Sequence, residues 1–482
     1  MSAFFIQYKR LSLSPITFKP KLGMLFNSFE FLLFFPLVLF VFAFAGRWKW
    51  LVLLIASYTF YMSWKWEYIL LILGSTIVDY LCARGMEASS DQKRKRLFLG
   101  VSMFSNLALL IVFKYLDFFI SSVNSLSSSN LALTHLLLPV GISFYTFQTM
   151  SYSIDVYHGR AKVEKHFGRF ALFVSFFPQL VAGPIERAKD LMHQLRNELQ
   201  FKTAYLIPAG KLFLWGLFKK VVIADRLALI VDPVFNEPNA YHGGILAFAS
   251  VLFAVQIYCD FSGYVDMALA IGKCFNVQLR QNFNTPYFAH NISNFWHRWH
   301  ITLSQWFRDY VYIPLGGNRG VKWRWYYNLF ITFLVSGLWH GANWTFVIWG
   351  AIHGGFIVAE KVLPKRNISP WITTPFTFLV VCFAWIFFRA NTVNDAFDII
   401  ASFADFGGLQ VFIDDLLKTG ISKLHVILAM VFIAVLFLKD AWTNWNWPRP
   451  AFTLRAVYYA FVFFSIVIFA ADNAAPFIYF QF

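Results

Sequence analysis

The chain has 482 residues, of which 58% are hydrophobic, 20% aromatic and 14% charged, and its mean hydropathy is +0.56. Soluble domains carry about 25% charged residues, so a water-soluble enzyme is excluded and a polytopic membrane protein is indicated. The net charge of +16 does not point to nucleic acid. The basic residues sit in short clusters between apolar runs, the arrangement by which membrane proteins fix their orientation.

A helix needs about 20 apolar residues to cross a bilayer. In chain order the candidate runs fall near 29–45, 50–64, 67–83, 97–120, 131–156, 170–183, 205–231, 244–274, 325–358, 371–390, 425–440 and 453–480. All but 170–183 read as spans, about eleven in total. Residues 1–23 hold Lys9, Arg10, Lys19 and Lys21 and no acid. They read as an extension that is disordered or upstream of a start at Met24, which opens "MLFNSFEFLLFFPLVLF". Residues 24–482 read as a single membrane domain with its functional core at about 244–358.

The loop "RGMEASSDQKRKR" (84–96) carries five basic and two acidic residues, which places it in the cytoplasm. The loop "SSVNSLSSSN" (121–130) has no charge, and "YHGRAKVEKHFGR" (157–169) is basic again. The short run 170–183 has basic flanks on both sides and so reads as re-entrant. Such backbone is tolerated at membrane depth only inside protein or beside a cavity. The cysteines Cys82, Cys259, Cys274 and Cys382 lie in or beside apolar runs without CxxC spacing, so neither a disulfide framework nor a zinc site follows.

Between the runs at 244–274 and 325–358 lies "QNFNTPYFAHNISNFWHRWHITLSQWFRDYVYIPLGGNRG" (281–320), aromatic and charged together. Taken as one helix over 294–312, capped by Ser293 or Asn294, it puts His297, His300, Ser304 and Arg308 on one face. Trp299, Leu303, Trp306 and Tyr310 fall on the other. The segment is either an interfacial helix or a helix inside the protein that presents His300 to a water-filled cavity. A metal on His297 and His300 lacks evident third and fourth ligands. Asp260 and Asp266 lie in the apolar "QIYCDFSGYVDMALA" (256–270), where each could partner a histidine, cap a neighbouring helix or pair with an arginine, a structural ion pair being the favoured role. Asp225, after Lys219 and Lys220, reads as a structural charge near the cytoplasmic boundary.

The run at 325–358 contains "SGLWHGANW" (336–344), with His340 near the middle of a stretch free of Lys, Arg, Asp and Glu. On a helix His340 shares a face with Ser336 and Trp344. Gly337 and Gly341 form a GxxxG pair that lets another helix approach closely. Ionisable groups at membrane depth are costly and usually functional. His340 is either a neutral histidine bonded to a backbone carbonyl or a neutral imidazole able to accept a proton, as a general base must.

These residues resemble the membrane-bound O-acyltransferase (MBOAT) family, in particular its bacterial alginate O-acetyltransferase branch, which includes peptidoglycan O-acetyltransferases. The pieces that carry the resemblance are "MLFNSFEFLLFFPLVL", "LPVGISFYTFQTMSYSIDVY", "FVSFFPQLVAGPIER", "QIYCDFSGYVDMA", "NFNTPY", "FWHRWHITLSQWFRDYVYIPLGGNR" and "SGLWHGANWTFVIWG", in order from Met24 to about Gly355. The resemblance implies an all-α polytopic fold, a ring of tilted helices with re-entrant pieces around a central tunnel. It implies that His340 is the catalytic histidine and His300 the second active-site position. Asp260, Ser304, Arg308, Ser336, Trp339 and Asn343 are the candidate lining residues. The implied donor is acetyl-CoA or another acyl thioester, with no bound cofactor and no metal. The implied acceptor is an extracytoplasmic glycan, reached directly or through a partner protein, from a bacterial inner membrane. Two other readings are D-alanyl transfer to a teichoic-acid-like polymer and a proton-coupled transporter with both histidines as relay.

Overall fold

The computed structural model describes residues 23–127, 129–364, 368–448, 450–469, 477 and 478. The expected extension at 1–23 lies outside these residues, apart from Gly23. Every regular element among the described residues is helical. In chain order they are α1 (Phe29–Phe44), α2 (Lys49–Met62), α3 (Tyr68–Ala88), α4 (Gln92–Ser127), α5 (Ile142–Tyr157), α6 (Phe167–Ser175), α7 (Phe177–Leu180) and α8 (Ala188–Asn197). There follow α9 (206–236), α10 (Gly243–Cys274), α11 (Ile292–Arg298), α12 (Ile301–Phe307), α13 (Lys322–His340), α14 (Trp344–Val362) and α15 (Pro370–Arg389). The chain closes with α16 (Val393–Ser402), α17 (Leu409–Lys418), α18 (Lys423–Asn444) and α19 (Phe452–Phe469).

Seven helices among the described residues are long and apolar enough to cross a membrane, namely α3, α4, α10, α14, α15, α18 and α19. Several expected spans are shorter or more polar. The helix expected from 131 begins only at Ile142, and α1 and α2 have 16 and 14 residues. The run 170–183 breaks into α6 and α7 at Phe176, and it is buried throughout, in keeping with its reading as a non-spanning piece inside protein. The run 325–358 is corrected most. It is two helices, α13 and α14, that leave each other at an extended Gly341 (φ −158°, ψ 149°). His340 therefore ends a helix instead of sitting inside one, and Trp344 belongs to the next helix, where it is exposed.

Contacts assign the connections to two ends. The basic loop at 84–96 meets the next basic loop through Lys165 and Glu87 at 3.8 Å. Arg196 binds Glu164, Asn276 Nδ2 donates to the Glu198 carbonyl, and Arg298 Nη1 donates to Asn444 Oδ1 at 2.7 Å. These connections form one basic end. At the other end Asn343 Nδ2 donates to the Asn391 carbonyl at 3.1 Å, Trp344 Nε1 donates to Ser122 Oγ, and His242 meets Asp415.

Inside the body, α9 carries a π-turn, Phe218–Ala224. It sets Lys219 2.9 Å from Asp266, and Lys220 2.8 Å from Asp225 and 2.6 Å from Asp260. Lys219, Lys220, Asp225 and Asp260 are buried. Asp225 is a structural charge as expected, but it lies mid-way along a long helix and not at a boundary.

Candidate active site

The segment expected as one helix over 294–312 is broken in its middle. Asn291, not Ser293 or Asn294, caps α11 by accepting from the Asn294 N–H at 2.7 Å. The helix ends at Arg298, and His300 takes the left-handed conformation (φ 43°, ψ 53°) before α12 begins. A non-glycine residue there costs of order 1–3 kcal/mol and persists only when its surroundings hold it. Asn282 holds it. Its Oδ1 lies 3.2 Å from His300 Nδ1 and accepts from the Thr302 backbone N–H and hydroxyl at 3.0 and 2.9 Å, while the Ile301 N–H donates to the Asn282 carbonyl at 3.0 Å. An oxygen acceptor at Nδ1 keeps the proton on that nitrogen and makes Nε2 the ring's acceptor.

The break also separates the two histidines of "FWHRWH". His297 is partly exposed and binds the Ser293 carbonyl through Nδ1 at 2.6 Å, whereas His300 is fully buried. The expected shared face of His297 and His300 does not form. His300 instead meets His340, with ring centroids 6.3 Å apart. Among the described residues no group of three or more His, Cys, Asp or Glu side chains converges on a metal-sized site.

His340 is brought there by a glycine contact. A Cβ on Gly337 would stand 2.3 Å from the Phe346 carbonyl oxygen and 3.0 Å from Gly350 Cα, and one on Gly341 would strike the Phe346 ring. The close approach read from the GxxxG pair is therefore made, by the next helix of the same chain. The His340 imidazole is walled by Trp339, Trp349 and Phe388, at centroid distances of 5.0, 4.9 and 5.6 Å. Trp339 packs in turn on Phe144 and Phe147.

Cavities lie on both sides of this pair. One of about 350 Å³ is lined by His297, Ser304, Arg308, Thr332, Ser336 and Lys361, among others. It starts among residues of the basic end and reaches Ser336, one turn before His340. A second of about 360 Å³ is lined by Lys114, Gly341, Asn343, Arg389 and Asn391 at the opposite end. A small one of about 40 Å³ between Lys114, Ser143, Phe144, Trp339 and His340 lies beside it.

Six of the eight expected site residues thus surround one junction: His300, His340, Ser304, Ser336, Trp339 and Asn343. Arg308 lines the first cavity nearer its rim and pairs with Asp309 at 2.7 Å. Asp260 is corrected. It pairs with Lys220, accepts from the Ile478 N–H at 2.7 Å, and lines none of the three cavities described. On α10 it faces Lys220 of α9, while the next residue, Phe261, packs on His300 at a centroid distance of 4.8 Å.

Three residues escaped the sequence reading. Asn282 lies inside "NFNTPY" with no signal beyond its polarity. His353 is buried, accepts from Trp296 Nε1 at 3.3 Å, and stacks edge-on to Trp349 at 4.9 Å; it sits one helical turn from Trp349 on α14. Lys114 was signalled by being the one lysine in the apolar run 97–120.

A buried histidine pair thus lies between opposed cavities in an all-helical body, seven of whose described helices are long and apolar enough to cross a membrane. The membrane-bound O-acyltransferase family profile matches residues 164–394, and the chain belongs to that family. It is a multi-pass membrane acyltransferase. It is 37% identical over 493 aligned residues, covering 95% of this chain and all of its relative, to a Pseudomonas putida protein named "Probable alginate O-acetylase AlgI". A Pseudomonas aeruginosa protein of the same name is 40% identical over 433 residues, covering 86% of this chain and 82% of the relative. The "Peptidoglycan O-acetyltransferase" of Helicobacter pylori is 38% identical over 394 residues, covering 75% and 74%.

Proposed function

We propose that this chain is an O-acetyltransferase of the bacterial inner membrane. It moves an acetyl group from acetyl-CoA to a hydroxyl of an extracytoplasmic polysaccharide, alginate-like or peptidoglycan, directly or through a partner protein. The observation that carries the reading is the placement of His340 at a junction: one cavity from the basic end reaches Ser336, one turn before it, another from the opposite end reaches Gly341 next to it, and the small one is lined by His340 itself. Arg308 and Lys361 in the first cavity suit the phosphates of a nucleotide thioester. Its inner part, with Leu303, Phe307 and Phe333, suits the uncharged pantetheine arm.

The chemistry is one acyl transfer. His340 takes the proton of the acceptor hydroxyl as the oxygen attacks the thioester carbonyl. The new C–O bond forms, the C–S bond breaks, and the thiolate leaves with the proton that His340 held. His300, fixed by Asn282 through Nδ1, orients a reactant by accepting from it at Nε2. Trp339, Trp349 and Phe388 keep water from the thioester. The described residues lie in helices and short connections with no segment of a size to grip a polymer, which favours relay through a partner protein. The same enzyme class admits D-alanyl transfer, but the relatives above bear acetyl-transfer names.

The test uses membrane vesicles from cells producing the full chain, radiolabelled acetyl-CoA, and label counted in the polysaccharide fraction. His340→Ala should abolish transfer while the protein accumulates normally, and His300→Ala should lower it by about 10²-fold or more. Full transfer by His340→Ala refutes the assignment.

A further inference from the structure

Helix α13 ends abruptly. Its last carbonyls, those of Leu338, Trp339 and His340, have no intrahelical donor, and the extended Gly341 prevents the usual glycine cap. A distant segment supplies the donors instead. Helix α4 contains a π-turn, Ile111–Tyr115, of the kind that often marks functional positions. The extra residue in that turn brings two consecutive side chains to the same helix end. Lys114 Nζ donates to the Trp339 carbonyl at 2.6 Å and to the His340 carbonyl at 3.2 Å. Tyr115 Oη donates to the Leu338 carbonyl at 3.0 Å.

The last three carbonyls of the helix are thus satisfied from one turn more than 220 residues upstream. A cation at a helix C-terminus is also electrostatically favoured. The third donor direction of Lys114 leads to Ser143 Oγ at 3.4 Å, on α5, so the ammonium ties α4, α5 and α13 together. It also lines both cavities at the end opposite the basic one.

We propose that Lys114 and Tyr115 are positioning residues for acyl transfer: their π-turn caps α13 from outside and holds the His340 imidazole at the junction of the cavities. The proposal rests on His340 as the proton acceptor. Neither side chain touches the reacting atoms in this role. Both act on the backbone that carries the base, so their loss should lower turnover and leave donor binding alone.

The experiment compares Lys114→Met, Lys114→Arg and Tyr115→Phe in the full chain, in the vesicle assay with radiolabelled acetyl-CoA, normalised to protein amount. Misplacing a catalytic group by about 1 Å costs up to 10²-fold, so Lys114→Met should lower kcat by about 10- to 100-fold with the KM for acetyl-CoA unchanged. Lys114→Arg, which keeps cation and donors, should recover most of the rate. Tyr115→Phe, which loses one neutral hydrogen bond, should fall by about threefold. The proposal is overturned if Lys114→Met keeps its kcat, if the loss appears in KM, or if Lys114→Arg is as slow as Lys114→Met. Should Lys114→Met fail to accumulate, a wild-type rate in Tyr115→Phe or a Met-like failure of Lys114→Arg overturns it equally. Transfer that survives His340→Ala sinks the underlying reading; transfer that needs His340 but ignores Lys114 sinks only this one.

Discussion

Two polar regions lie inside the helical body, and they meet the cost of burial in opposite ways. In the first, Lys219 and Lys220 pair with Asp225, Asp260 and Asp266 across α9 and α10. The cavity that touches Lys220 holds about 10 Å³, room for one water at most. In the second, His300 and His340 face each other among aromatic walls, and cavities of about 350 and 360 Å³ reach Ser336 and Gly341 on either side of His340. Burying a charge is tolerable when a partner is in place, but that pairing leaves nothing to react. An imidazole is cheap to bury neutral and can still gain a proton. The comparison separates a region that holds helices together from the one proposed to do chemistry, although both look alike as polar residues in apolar sequence.

The largest effect expected on stability is in the charged region. Lys220→Met strands Asp225 and Asp260, and breaking a buried pair in this way costs about 3–5 kcal/mol. Thermal unfolding in detergent should show a large fall, where His340→Ala shows little. A variant that unfolds like wild type yet loses transfer would erase the distinction. Next is Gly337→Ala, where the new methyl meets the Phe346 carbonyl oxygen at 2.3 Å. Overpacking of this kind costs about 1–3 kcal/mol, and because the same contact seats His340, transfer should fall with stability. A stable Gly337→Ala with full transfer would show that the hairpin tolerates a wider spacing.

The smallest effect is a pH dependence outside the spanning helices. Glu186, between α7 and α8, is pushed up from 4.5 to about 8, mainly by burial, against the N–H and guanidinium of Arg280. The folded chain therefore keeps this proton where the unfolded chain has lost it. Stability falls as pH rises from about 4.5 through 8, since the folded state binds more protons there. Glu186→Gln should flatten the change in melting temperature between pH 5 and pH 8; equal slopes in both proteins would contradict the assignment.

Much of this was legible in the sequence. Hydropathy marked the helical body, and the rarity of ionisable groups at membrane depth singled out His340. What failed was local geometry. Periodicity treats 294–312 as continuous, yet Asn282 lies outside that window and its hydrogen bonds are what break the helix at His300. Hydropathy likewise cannot see the turn at Gly341–Asn343, because the residues on both sides are equally apolar. Asp260 was open to three roles, and its position opposite Lys220 decided for the ion pair, with a lysine in place of the expected arginine. Lys114 could be noticed but not placed, since its partners are backbone carbonyls on a helix far along the chain.

The central claim is that His340 receives a donor from one end of the molecule and an acceptor from the other. Proteoliposomes containing the full chain and any partner test it most directly, with acetyl-CoA confined to the side of the basic end and an oligosaccharide acceptor to the opposite side. The account predicts free CoA on the first side and O-acetylated sugar on the second, both lost in His340→Gln. Transfer that requires donor and acceptor on the same side, or that persists in His340→Gln, would contradict it.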